Sequence, residues 1–272
     1  MQNCDKIFEL LKKNQVLVAE ATDLLHIPYP DPVFRGFQGG CSDGERYYYQ
    51  ALMHYELSDR TKDYSCIAKI DLQTNQIIKY SGILHLDHAN DITYHSKRNL
   101  LIVTNNKPNF TRITLVDPDS LDVVGYEEAP VPLYALEYNK SRDMFVAGIS
   151  GKREFCFLDG DLKLIDDKRY RTIEADDRCT KQDICADNNL LYFILWDGRH
   201  KDADDFQNRV TIYDWDGNYR GILEFNLGPE EPESISILGG EIYAVVCNKR
   251  EPTIYHFEPK AITRLLRSLT ET

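Results

Sequence analysis

The sequence predicts an all-β fold, a five-bladed β-propeller that occupies residues 1–272 as a single domain. Two recurrences carry this expectation. A short apolar strand opens at Gly40, Asp91, Glu137, Asp183 and Ser234, at spacings of 51, 46, 46 and 51 residues. A later strand of each copy ends in an acidic residue, at Asp71, Asp117, Asp159, Asp214 and Glu258. A period in this range, built from β-type runs, corresponds to one four-stranded blade per copy.

The elements follow in order. Ile7, Phe8, Leu10 and Leu11 fall at helical spacing and predict a short terminal helix. Blades are expected at about 38–83, 84–130, 131–175, 180–226 and 231–260, the last completed by residues 15–20. Second strands are expected at 47–52, 100–104, 144–149, 190–196 and 241–247, runs rich in Val, Ile, Tyr and Phe between turn signals. The acidic residues after the third strands signal turns, because a carboxylate can accept from nearby backbone amides. Fourth strands such as 76–80 and 220–225 follow four of the copies. After Glu258 the residues 261–266 look helical instead, so the last blade lacks a fourth strand of its own. Residues 15–20 are expected to fill that place and leave no open sheet edge.

Composition narrows the function. Forty-four acidic residues against 32 basic ones give a net charge of −12, which argues against nucleic acid as a partner. Seven Cys, an odd number without a Cys-x-x-Cys, do not make a disulfide framework. The first residues mix charge with apolar side chains, unlike a signal peptide, and no run approaches the roughly 20 apolar residues of a membrane span. A cytoplasmic monomer without membrane contact is expected. No phosphate-binding loop, His-Glu-x-x-His or Gly-x-Ser-x-Gly is present, and no cofactor is expected. The stretches 85–91 and 197–205 have metal-type composition but lack the spacing of zinc or EF-hand sites, so no metal residue is assigned. An acidic channel could also take Ca²⁺.

In a propeller the first strands line the central channel, and the long loops between second and third strands share a face with the channel mouth. Long loops on a rigid scaffold are where function concentrates. Gln38, His88, Asn90, Asp91, Tyr134, Glu137, Gln182, Asp183 and Glu233 are expected at that mouth. Converging carboxylates raise one another's pKa or recruit a cation. Lys107, Arg112, Lys152, Arg153, Arg199, Lys201, Lys249 and Arg250 follow second strands and would form a basic rim. Glu137, Asp91, Asp183 and His88 are the candidate acids and bases. Gln38, Asn90, Tyr134, Gln182, Glu233, Lys152 and Arg199 are the candidate ligand contacts. Cys41 and Cys185 fall on channel strands and are ordinary core positions for a thiol.

Phe37-Gln38-Gly39-Gly40, followed by Asp43-Gly44 and Tyr47 to Tyr49, resembles the opening motif of the glutaminyl cyclotransferases. Residues 67–75 are similar to a Val-Asp-Leu-Glu-Thr-Gly turn of that family and of wider propeller families. The resemblance implies a five-bladed propeller with its reaction at the channel mouth and a substrate contact at Gln38. The family's catalytic Glu falls on Asn90, which cannot exchange a proton, so cyclase chemistry would pass to Asp91 or Glu137.

Three functions fit. The first is binding or sensing of a small amine-bearing or zwitterionic molecule, such as an amino acid, a peptide terminus or a nucleotide-like compound. Its cation would lie between Glu137 and Glu233. The second is a cyclotransferase- or hydrolase-type enzyme using channel carboxylates, and the third is a protein-interaction scaffold.

Overall fold

A computed structural model describes residues 2–54, 63–173, 179–198, 208–228, 230–248 and 251–261, with the side chains of 247 and 248 left aside. Arg199, Lys201, Lys249 and Arg250, most of the 197–205 stretch and the expected helix past residue 261 lie outside the described residues.

The chain starts with α1 (Asn3–Leu11) and β1 (Val16–His26). Three four-stranded antiparallel sheets follow. They are β2 (Gly36–Ser42), β3 (Tyr47–His54), β4 (Tyr64–Asp71) and β5 (Gln76–Tyr80); β6 (Asp91–His95), β7 (Leu100–Thr104), β8 (Arg112–Val116) and β9 (Val123–Glu128); and β10 (Leu133–Asn139), β11 (Met144–Ile149), β12 (Glu154–Asp159) and β13 (Tyr170–Arg171). The remaining strands are β14 (Thr180–Ala186), β15 (Leu190–Trp196), β16 (Asn208–Asp214), β17 (Tyr219–Phe225), β18 (Pro232–Leu238), β19 (Glu241–Asn248) and β20 (Glu251–Ala261). These form an eight-stranded sheet in the order β14-β15-β16-β17-β1-β20-β19-β18.

Within that sheet β1 runs antiparallel to β20 from Leu17 opposite Ala261 to His26 opposite Thr253. On its other side it meets β17 in parallel only from Val16 to Val18. The N-terminal strand therefore completes the last sheet, as the missing fourth strand predicts. Asn3 of α1 holds the helix against this sheet by donating to the Phe257 carbonyl at 2.8 Å.

The apolar clusters lie between sheets. Tyr49, Ala51 and Ile67 of the first sheet pack with Ile92, Leu101 and Val103 of the second. Ile102 and Ile113 pack with Leu136 and Phe145 of the third, and Phe155 and Phe157 with Phe193 and Tyr213 beyond it. Val245 and Ile254 return to Tyr48, Leu52 and Ile70 of the first sheet. Each sheet thus packs on its neighbours around a closed ring, and the first strands β2, β6, β10, β14 and β18 contact one another in that order, β18 closing on β2. This is a β-propeller with its first strands around the axis.

The turn chemistry holds in four copies. Asp71 accepts from the amides of Gln73 and Thr74, Asp117 from Asp119 and Ser120, Asp159 from Asp161 and Lys163, and Asp214 from Asp216 and Asn218, at 2.7–3.3 Å. Glu258 is a correction. It lies inside β20 opposite Glu20, and no turn forms, because the partner strand comes from the other end of the chain. Ala261 is likewise strand and not the start of a helix, since it pairs with Leu17.

Candidate functional site

The mouth is built by irregularity in the first strands. Register shifts interrupt the pairing between Phe37 and Gly40, Leu133 and Ala135, Lys181 and Asp183, and Pro232 and Ser234. The residues inside these shifts are Gln38 with Gly39, Tyr134, Gln182 and Glu233. A bulge re-aims a side chain out of the alternating pattern of a strand, and Gln38, Tyr134, Gln182 and Glu233 all line one cavity of about 1770 Å³. His88, Asn90 and Lys152 line it too. The structure therefore brings together Gln38, His88, Asn90, Tyr134, Gln182, Glu233 and Lys152. It lies on the face of the β7–β8 and β11–β12 loops, where Lys107, Phe110 and Ser150 to Arg153 enter.

The motif Gln38-Gly39-Gly40 has a packing reason. A Cβ on Gly39 would fall 2.1 Å from the Asp91 Cα, and one on Gly40 would fall 2.4 Å from the Tyr48 hydroxyl. Only glycine lets the first strand approach its neighbour so closely. Beneath it the Gln50 amide donates to the Gln38 carbonyl at 2.5 Å, and Tyr48 meets Ser234 at 2.7 Å. Asn90 is held at both ends. Its amide nitrogen donates to the Tyr134 carbonyl at 2.6 Å, and its oxygen accepts from Asn106 at 2.8 Å.

Three expected mouth carboxylates lie elsewhere. Asp91 and Asp183 are 1% exposed and sit below the cavity, on the axis. Asp91 accepts from the Leu136 amide at 2.6 Å, and Asp183 accepts from Ile184 and Ile235 at 2.6 and 2.8 Å. The two carboxyls are close enough to influence each other, and like charges so buried disfavour ionisation of both at once. Burial pushes Asp91 up to about 6, while burial and the Asp91 charge carry Asp183 well above the carboxylate range. Each therefore ties its own first strand to the next one.

Glu137 is further off. It pairs with Val146 as Thr93 pairs with Ile102, while Ala135 opposite Gly148 occupies the rung of Asp91 opposite Thr104. The third copy is thus offset by two residues from the alignment that its acidic opening suggests. Two residues along a strand keep the face but move the side chain by roughly 7 Å. Glu137 consequently lines a separate cavity on the opposite face, where it accepts from the Thr93 hydroxyl at 2.5 Å. A cation shared by Glu137 and Glu233 is excluded by this placement.

Arg112 is also displaced from the rim. It approaches Asp87 at 3.8 Å and lies 5.0 Å from the Tyr126 ring. Asp87 in turn accepts from Asn105 and Asn109 at 3.0 and 2.8 Å, so the 85–91 stretch is a braced turn. No three His, Cys, Asp or Glu converge as a metal cluster among the described residues.

The principal residue that sequence reasoning missed is Glu231. It lines the mouth beside Glu233, and the Gln182 amide donates to it. Burial raises the pKa of Glu231, and burial followed by the Glu231 charge raises Glu233 well above the usual carboxylate range. The signal was present in Glu230-Glu231-Pro232-Glu233, a carboxylate run ending at a first strand. Arg35 and Lys181 also line the cavity. Lys181 donates to the Lys152 carbonyl at 3.1 Å and to Thr172 at 3.2 Å.

Fold and site together define a β-propeller with an open cavity over its central axis. No family model matches the sequence, and no curated protein matches it either. Among solved structures the chain is similar to Myxococcus xanthus glutaminyl cyclase, with a TM-score of 0.59, 12% identity, and 92% of this chain and 100% of that one covered. It is similar to the tail fiber of Staphylococcus aureus phage P68, with a TM-score of 0.61, 11% identity, and 90% and 53% covered, about half of that chain's length. A member of the duf4221 family from Bacteroides vulgatus gives 0.51, 12%, 92% and 100%. At these identities the likeness shows the fold alone. No helix among the described residues is long and apolar enough to cross a membrane.

Proposed function

We propose that the chain is a five-bladed propeller whose mouth cavity binds a small zwitterionic molecule, an amino acid or a peptide terminus. The eight-stranded sheet supports the blade count: it divides at the short β17–β1 contact into two four-stranded halves, each with its own first strand on the axis.

One observation carries the ligand class. Glu233 is 9% exposed, lines the cavity, and receives no hydrogen bond from the described residues. A desolvated carboxyl beside a second one at Glu231 is stabilised by an incoming ammonium, which relieves both burial and repulsion. Lys107, Lys152 and Arg153 enter from the second and third sheets, which do not adjoin the sheet of Glu233 in the ring. Arg35, next to β2, and Lys181, on β14, add cations beside the carboxylates, so the cavity carries both signs of charge, which suits a ligand with a cation at one end and an anion at the other. Gln38, Asn90 and Gln182 supply neutral contacts between the two.

The likeness to a glutaminyl cyclase supports a second reading. Since Asn90 stands where that family's acid falls, Glu233, held protonated by its surroundings, would act as the acid or base in cyclising an N-terminal glutamine.

A thermal-shift panel of amino acids, dipeptides, simple amines and simple carboxylates tests the binding reading, because a ligand specific to the native state raises the melting temperature. Zwitterions are expected to give the largest shifts. Glu233→Gln should weaken them by roughly 1.5–3 kcal/mol, the worth of a hydrogen bond to a charged group. Equal shifts for the wild type and Glu233→Gln would contradict the reading.

A further inference from the structure

The face opposite the mouth carries a second cavity of about 610 Å³, beneath α1 and between the turns that join first to second strands. We propose that it is a separate binding site for a small organic ammonium, with Glu137 as counter-ion and Thr93 and Ser236 as hydroxyl partners. It shares no lining residue with the mouth cavity.

Its lining contains five carboxylate residues, Asp5, Asp43, Glu45, Glu137 and Asp187, against Lys140 alone. Charge by itself would not make a site. Asp43 and Asp187 already brace turns, Asp43 accepting from the amides of Glu45, Arg46 and Tyr47, and Asp187 from Asn189 and Leu190. Glu137 differs, because it projects from the middle of β10 at the base of the cavity. The Tyr138 amide donates to Thr93 Oγ1 at 3.0 Å, which turns the Thr93 hydroxyl proton toward Glu137. The carboxyl is so fixed by its neighbours in β6.

Ser236 is the independent observation. It is 3% exposed, it lines the cavity, and its Oγ has no hydrogen-bond partner. Ser96 Oγ, also in the lining, is unpartnered too. Buried hydroxyls are normally satisfied, so the unpartnered Ser236 in this lining has hydrogen-bonding capacity that the protein does not use. An ammonium on Glu137 with a hydroxyl or second amine reaching Ser236 would satisfy both, and the fixed dipoles of Thr93 and Glu137 suit a positive charge. Burial, with the nearby Asp91 charge, pushes Glu137 up to about 8, the cost that a bound cation would relieve.

Isothermal titration of the full chain at pH 8 with methylamine, ethanolamine and putrescine, and separately with calcium chloride, tests this. Ethanolamine or putrescine is expected to bind the wild type more tightly than methylamine. Glu137→Gln, made in the Glu233→Gln background so that the mouth carboxylate does not contribute, should weaken that binding by at least tenfold. Ser236→Ala removes a hydroxyl without a protein partner, so the fold is retained, and a loss of about fivefold is expected, the effect of one hydrogen bond. No heat with any amine, equal affinity with and without Glu137→Gln in that background, or a response to calcium chloride alone would each overturn the proposal.

Discussion

Asp91 and Asp183 show what the acidic residues of the first strands do before any ligand arrives. Their oxygens take the amides of the neighbouring first strands, and burial with the neighbouring charge raises the pKa of Asp183 well above the usual carboxylate range. Both carboxyls hold protons in the folded state that an unfolded chain gives up near pH 4, and Glu137 extends this to about 8. Where the folded state binds more protons, stability falls as pH rises. The urea midpoint should therefore decline from pH 5 to pH 8, and Asp183→Asn should flatten that slope; a midpoint that rises over this range in the wild type would contradict the raised pKa of these buried carboxyls. At this scale the sequence was read correctly in part. The polar residues that open the strands do converge on the axis, but an acidic opening does not by itself fix the register of a copy. Glu137 satisfies that pattern two rungs too late, and the register set by the β10–β11 pairing is not written in residue type. Nor are the bulges, which decide that Gln38, Tyr134, Gln182 and Glu233 point to the mouth.

At the scale of elements, legibility follows packing. The expected 100–104, 144–149 and 190–196 coincide with β7, β11 and β15, strands covered on both faces and so uniformly apolar. The fourth strands are half exposed, and their signal is weaker; in the third sheet β13 is only Tyr170 and Arg171. Two tests belong here. Removing residues 1–20 takes away the part of β1 that pairs with residues 258–261 and, with it, Leu17, which is fully buried. The truncated chain should unfold or aggregate, because β20 would present a bare edge; thermal stability equal to the full chain would contradict the closure. Gly39→Ala places a methyl on the Asp91 backbone and should cost roughly 1–3 kcal/mol in equilibrium unfolding, the range for overpacked cores.

At the scale of the whole molecule, the first strands form an axis blocked at its middle by the Asp91–Asp183 pair, with one cavity above and another below. The upper cavity sets Glu231 and Glu233 among cations brought in by other strands and loops, Arg35, Lys107, Lys152, Arg153 and Lys181. This gathering of cations is invisible in a net charge of −12, since it depends on which residues the sheets bring to one face. The proton on Glu233 gives the most direct test. A zwitterion whose ammonium displaces that proton should release it on binding. Titration calorimetry of the best-bound amino acid at pH 7, in two buffers of different ionisation enthalpy, measures the number released. Proton release is expected in the wild type, with weaker binding and no release in Glu233→Gln; binding without release in the wild type, at an affinity unchanged in the variant, would contradict the account.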